Sequence, residues 1–227
     1  MKFPYQLIEL THTLDENSPA WEDGCGFSSS IVLDYSDCTD EPRFRVQSFG
    51  MPAGMGTHMD APSHCYPDGL SIDQISLEQL VVPCVVIDVS PKAHESYSVT
   101  PQDIVDFEKI YGLIKPGSFL IIKTGWSRFW NTPKQYRNNY QFPSVAAETA
   151  TLLVSRDIVG LGIDTLSPDR PDVGYPVHRI LLSSGRYIVE NIANSELLPS
   201  KGSFIMALPL KIRQATEAPM RLIGLLA

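Results

Sequence analysis

The sequence predicts a single α/β domain over residues 1–227, with a mixed, β-rich sheet core and flanking helices. Several short apolar runs point to the sheet: Val81–Val89, Phe119–Gly125, Ile158–Asp164 and Tyr187–Asn191. They are continuous rather than alternating, the pattern of strands covered on both faces. Helix-opening signals fall between them, with Thr100 before Pro101 and with Pro176 opening a short amphipathic run. No internal repeat, low-complexity tract or linker interrupts the 227 residues, a length that one α/β domain can fill.

Taken in order, Leu7–His12 reads as the first strand. Asn17–Gly24 follows as a loop whose turn formers flank one large aromatic, Trp21; that indole is either a lid over the core or a ligand contact. Ser30–Tyr35 and Phe44–Phe49 read as strands, the second with clear alternation. In Val81–Val89, Pro83 must lie at the start or at an edge, since it cannot donate to a ladder. After Pro101, the residues Ile104, Val105, Phe107, Ile110 and Tyr111 supply a helical apolar stripe. Trp126–Pro143 is irregular and rich in aromatics, and serves as a pocket wall or as a subunit contact. Ser144 is expected to cap a helix carrying Val145, Ala146, Thr149, Leu152 and Leu153. Asp164–Pro168 ends the next strand on the side where open α/β sheets bind ligands. Pro176–Leu182 forms a helix with His178 in its first turn, and Phe204–Leu210 and Leu222–Leu226 complete the strands.

The formal charge is −8, and Lys and Arg do not cluster, so the chain lacks the footprint of a nucleic-acid binder. Its longest apolar stretch, Leu80–Ile87, is interrupted by Pro83 and is far too short to span a bilayer. The first residues carry no signal-peptide features, and Cys25, Cys38, Cys65 and Cys84 form neither a C-x-x-C pair nor a zinc-finger spacing. These features lead us to expect a cytoplasmic protein in a reducing compartment, with a small-molecule ligand and no nucleic-acid or membrane partner.

The stretch Gly54–His64 concentrates chemistry, holding two of the five histidines and a carboxylate. His58 and Asp60 are two apart, so on an extended backbone both leave the same face; on a helix they would diverge by about 200°. Gly56 permits close backbone approach, and Pro62 ends the extended run and leaves His64 free to turn back. The stretch is a metal or acid–base site on a strand and turn, or else a polar surface turn. Asp60, His178 and Glu190 each stand where a buried polar group needs a partner. Together with His58 they make a mixed nitrogen–oxygen ligand set suited to Zn²⁺, Mn²⁺ or Fe²⁺. Spacing alone does not establish that they meet.

The chain resembles the cyclase family that contains bacterial kynurenine formamidases (arylformamidases) and isatin hydrolases, marked by H-x-G-T-H-x-D-x-P-x-H. Gly56-Thr57-His58, Asp60, Pro62 and His64 match that motif in register. Matching residues continue through Ser18-Pro19, Trp21, Lys123–Arg128, Gly162–Ser167, Val189-Glu190-Asn191, Leu208–Lys211 and Ala218–Arg221. The resemblance implies a swivelling β/β/α fold and a hydrolase of non-peptide amide bonds, acting on an aryl formamide such as N-formylkynurenine or on a cyclic amide. It implies one or two divalent ions per chain, zinc or manganese. His58 and Asp60 would hold the first ion, and Asp60, His178 and Glu190 the second. His64 would shuttle the proton, Trp21 would lie against the substrate ring, and the protein would be a homodimer or homotetramer.

Two departures stand out. Gly54 occupies the position of the motif's first histidine, leaving only His58 and Asp60 at the first ion position, so the second ion is expected to dominate. That loss also raises the alternative of a catalytically silent relative that binds a small molecule or partner. Cys25 or Cys65 could serve as a substitute soft ligand. The second departure is Trp21-Glu22-Asp23-Gly24, where kynurenine formamidases usually read Trp-Pro-Gly-Asp.

Overall fold

The computed structural model describes residues 4–22 and 26–227. Cys25 and the Asp23-Gly24 part of the Trp21 loop lie outside the described residues. The first strand is β1 (Gln6–Glu9), which starts one residue earlier and ends three earlier than Leu7–His12, followed by β2 (Ser28–Leu33), β3 (Val46–Gly50) and β4 (His58–Asp60). A single turn, α1 (Leu77–Leu80), leads into β5 (Val81–Asp88). Then come β6 (Ser98–Val99), α2 (Pro101–Tyr111), β7 (Phe119–Lys123), α3 (Pro133–Arg137), β8 (Ser144–Val145) and α4 (Ala147–Ser155). The rest is β9 (Gly160–Ile163), α5 (Pro176–Ser183), β10 (Tyr187–Glu190), β11 (Ser203–Pro209) and β12 (Glu217–Leu226).

The main sheet runs β1-β12-β11-β5-β7-β9-β10-β4, and β4 pairs in turn with β12, so the sheet closes into a barrel. Its β5, β7, β9 and β10 are parallel, as the continuous apolar runs demand, and the remaining pairings are antiparallel. Alternation along each strand feeds two cores. Val82, Cys84 and Val86 of β5 join Phe119 and Ile121 of β7 in one core, with Met59, Val189, Ala207 and Leu222. Val85, Ile87, Leu120 and Ile122 face the other way, onto Ile104 and Phe107 of α2, Leu153 of α4 and Val177 and Leu181 of α5. Pro83 is accommodated because β5 pairs with β11 from Val81, whereas its ladder with β7 begins only at Cys84.

Several local expectations are corrected. Thr100 does cap α2, its backbone N–H bonding to Asp103 at 2.7 Å, but Ile110 and Tyr111 are 74% and 48% exposed. The buried face of α2 carries Glu108 instead, which takes both prongs of Arg156 at 2.8 Å and fixes α2 against the end of α4. Ser144 caps nothing: it pairs with Ser98 in a short parallel ladder, its N–H donates to Tyr97 O, and the helix starts later, at Ala147. The alternation in β3 does not signal a buried face, because β2 and β3 form a separate hairpin in which Val32, Phe44 and Phe49 are exposed. Trp126–Pro143 folds into short helical turns around its own core of Trp126, Trp130, Tyr136 and Phe142, closed by Leu166. That segment therefore needs no partner to cover it. Among the described residues, no helix is long and apolar enough to cross a membrane.

A candidate metal centre at the barrel seam

The site is assembled where β4 closes the barrel between β10 and β12. β4 has three residues; Met59 points into the core, so His58 and Asp60 share the opposite face. In the ladder with β10, His58 pairs with Glu190, and in the ladder with β12, Asp60 pairs with Glu217. Directly paired residues hold their side chains on one face of a sheet, so register alone brings His58, Asp60, Glu190 and Glu217 together. His178 enters from the first turn of α5, which packs over β10.

His58, Asp60, His178 and Glu190 are all buried, exposing 3%, 1%, 7% and 6% of their surfaces. The Nε2 of His58 lies 3.3 Å from Asp60 Oδ1 and 3.4 Å from Glu190 Oε2. The Nε2 of His178 lies 3.6 Å from Asp60 Oδ2 and 3.5 Å from Glu190 Oε1. The other ring nitrogens are turned away and tied down: His58 Nδ1 stands 2.9 Å from the Gly56 carbonyl, and His178 Nδ1 is 2.8 Å from Asp169 Oδ2. Each imidazole thus presents Nε2 inward, the arrangement of a histidine ready to ligate.

Both oxygens of Asp60 and Oε1 of Glu190 are buried without a hydrogen-bond donor. Orphaned carboxylate oxygens cost several kcal/mol unless a cation satisfies them, so the residues present fit a divalent metal. Two groups of donor atoms lie within 4.8 Å of one another and share Asp60: Asp60, His178 and Glu190, and His58, Asp60 and Glu217. The carboxylates draw positive charge onto the imidazoles. Burial alone would raise the Asp60 carboxyl, but the opposing charges of His58 and His178 prevail and hold it below the usual carboxylate range. Burial and the neighbouring Asp60 push Glu190 up. Burial opposes a charge on His58, yet the Asp60 carboxylate outweighs it and its pKa rises to about 10.

A cavity of about 550 Å³ opens over these residues, lined at its mouth by Trp21 and Tyr175 and at its side by His64, Cys65 and Ser167. Trp21 is steadied by Tyr140, whose ring centroid is 4.8 Å away and whose hydroxyl donates to the Trp21 carbonyl. His64 does turn back toward the cluster, its side chain 33% exposed and its Nδ1 3.4 Å from Glu217 Oε2. All six residues singled out in the sequence therefore reach one cavity. Cys65 lines it but belongs to neither donor group.

Two participants escape sequence reading. Asp169 is fully buried and accepts from the backbone N–H groups of Val177 and His178 as well as facing the His178 ring. Glu217 is the other: it stands beside His58 and Asp60, the two residues that the sequence assigns to the first ion position. Its one sequence signal is its place directly before Ala218-Pro219-Met220-Arg221; that it stands against Gly54 shows only in the structure. Asp164, by contrast, is not part of the cavity. It accepts from Thr124 Oγ1 and from the N–H groups of Thr124, Gly125 and Trp126, bracing the ends of β7 and β9.

A profile of the family described as Putative cyclase matches residues 8–170. Isatin hydrolase of Roseibium aggregatum is 26% identical, covering 97% of this chain and 91% of its own. Kynurenine formamidase of Polaromonas naphthalenivorans is 26% identical over 96% of this chain and 90% of its own. Among solved structures, isatin hydrolase A from Labrenzia aggregata bound to benzyl benzoate superposes with a TM-score of 0.89 at 30% identity, covering 98% of this chain and 94% of that one. With a closed mixed sheet, the paired His58 and Asp60 and a match over most of its length, the chain belongs to the cyclase family of hydrolases.

Proposed function

We propose that the protein is a metal-dependent amidohydrolase that cleaves a non-peptide C–N bond next to an aromatic ring, in an aryl formamide such as N-formylkynurenine or in a cyclic amide. The observation that carries this reading is the set of three donorless carboxylate oxygens, from Asp60 and Glu190, facing two inward Nε2 atoms beneath an aromatic-rimmed cavity. A divalent cation bound there, zinc or manganese, would polarise the amide carbonyl and make water acidic enough to attack it near neutral pH.

The chain's own residues supply the rest. Trp21 and Tyr175 offer flat faces that hold an aromatic ring at the mouth, with the scissile group directed to the floor. His64 takes a proton from the attacking water and returns it to the departing nitrogen, so the C–N bond breaks to a carboxylic acid and an amine with one water consumed, and the acid then gives its proton to solvent. Its partly exposed position lets it exchange protons with solvent between turnovers. The test is a panel of aryl formamides, imides and lactams assayed with and without chelator. Hydrolysis that chelation abolishes and metal restores is expected; activity on none of them would reject the reading.

The same reading includes a cytoplasmic location, in line with Cys38, Cys65 and Cys84 being free thiols among the described residues. It also makes the protein a homodimer or homotetramer. An isolated two-stranded hairpin is marginally stable, and β2–β3 exposes 67% of Val32 and 60% of Phe49, which a second copy would cover.

A further inference from the structure

Gly54 removes a side chain from the first ion position, yet the space that side chain would fill is not empty. A Cβ built on Gly54 would overlap Oε1 of Glu217 and stand 3.3 Å from Nε2 of His58. Glu217 reaches that point because its pairing with Asp60 across the β12–β4 ladder sets both on one face. Its two oxygens diverge, Oε1 toward Gly54 and His58 and Oε2 toward Nδ1 of His64. Donor atoms of Glu217, His58 and Asp60 thereby lie within 4.8 Å of one another.

Charge supports the same conclusion. Asp60, Asp169, Glu190 and Glu217 gather around three imidazoles, those of His58, His64 and His178. Four carboxylates thus outnumber three imidazoles, and both Asp60 oxygens are buried without a hydrogen-bond partner.

We propose that Glu217 replaces the ligand absent at Gly54 and completes, with His58 and Asp60, a first cation site beside the Asp60–His178–Glu190 site. This rests on reading the cavity as a metal centre. Exchanging an imidazole for a carboxylate leaves one nitrogen and two carboxylate donors, a harder set that shifts preference from Zn²⁺ toward Mn²⁺. Because Oε2 of the same carboxylate faces His64, the residue that completes the first site also orients the proton shuttle.

The test is equilibrium dialysis of metal-stripped protein against Mn²⁺ and, separately, Zn²⁺, with bound metal counted by elemental analysis. Wild type should hold two Mn²⁺ per chain. Glu217→Gln, which keeps shape and lies at a part-exposed position, should hold one, with the lost site weakened at least about tenfold. The exchange Gly54→His with Glu217→Gly should recover the second equivalent and reverse the preference toward Zn²⁺. Unchanged occupancy in Glu217→Gln, with metal bound in wild type, would overturn the role of Glu217 while leaving the metal centre intact. No binding by wild type at all would overturn both.

Discussion

Asp169 holds His178 by two routes, its carboxylate taking the N–H of the helix turn that carries the residue and facing Nδ1 of the ring at 2.8 Å. Backbone and imidazole are therefore oriented by one buried group. Asp169→Asn keeps the shape but loses the charge, so metal affinity at the second site should fall about 10- to 100-fold. Isothermal titration of the metal-free protein reads this directly, and an unchanged affinity would show that the ring needs no such anchor.

His64 should separate chemistry from binding. Its removal in His64→Ala is expected to lower kcat about 10²- to 10⁴-fold while bound metal stays the same. Steady-state kinetics alongside metal analysis checks both, and a fully active variant would exclude it as the proton carrier.

Trp21 is expected to act on substrate capture. Trp21→Ala should raise KM by roughly five- to tenfold, the worth of about 1 kcal/mol of ring contact, with a smaller change in kcat. The comparison to make is between aromatic and non-aromatic amides, because only the aromatic ones should lose ground.

His12 stacks on Trp130 at 3.9 Å with its Nε2 buried and unpartnered. Burial lowers its pKa from 6.5 to about 4. Between those values the unfolded chain binds more protons than the folded one, so stability falls as pH drops from 6.5 to about 4, by up to about 3 kcal/mol. Above that window His12 is neutral in both states and contributes no slope. Urea unfolding of wild type and His12→Phe at pH 4.5 and pH 7 should show the variant losing less stability on acidification. Equal losses would assign the acid sensitivity to other groups.

The exposed hairpin gives a prediction about assembly. Val32→Ser with Phe49→Ser should convert a dimeric or tetrameric wild type into a smaller species in light scattering, without loss of secondary structure. A monomeric wild type would refute the homo-oligomer.

Much of this arrangement was legible in the residues because local chemistry dictates it. The two-residue spacing of His58 and Asp60 requires an extended backbone to bring them to one face, and β4 supplies it. Thr100-Pro101 and Pro176 mark real helix starts, since a fixed φ and a missing N–H suit the first turn. What escaped depends on register or on surroundings. Glu217 reaches the site through a ladder with Asp60 that no spacing encodes. Alternation in Val46–Gly50 describes a strand with two different faces, but all five residues stay exposed. Ser144 resembles a cap because a serine before an apolar run is the usual one; pairing with Ser98 claims its backbone first.

The closing strand carries a further implication for how such a site can change. β4 is three residues long and is clasped on both sides, so its cavity-facing positions amount to His58 and Asp60. A lost donor has no successor within that strand. A replacement has to come from elements that already reach the same spot, the flanking strands β10 and β12 or helix α5. The shortness of the seam thus leaves any change of donor to its neighbours, because His58 and Asp60 already fill both cavity-facing positions of β4.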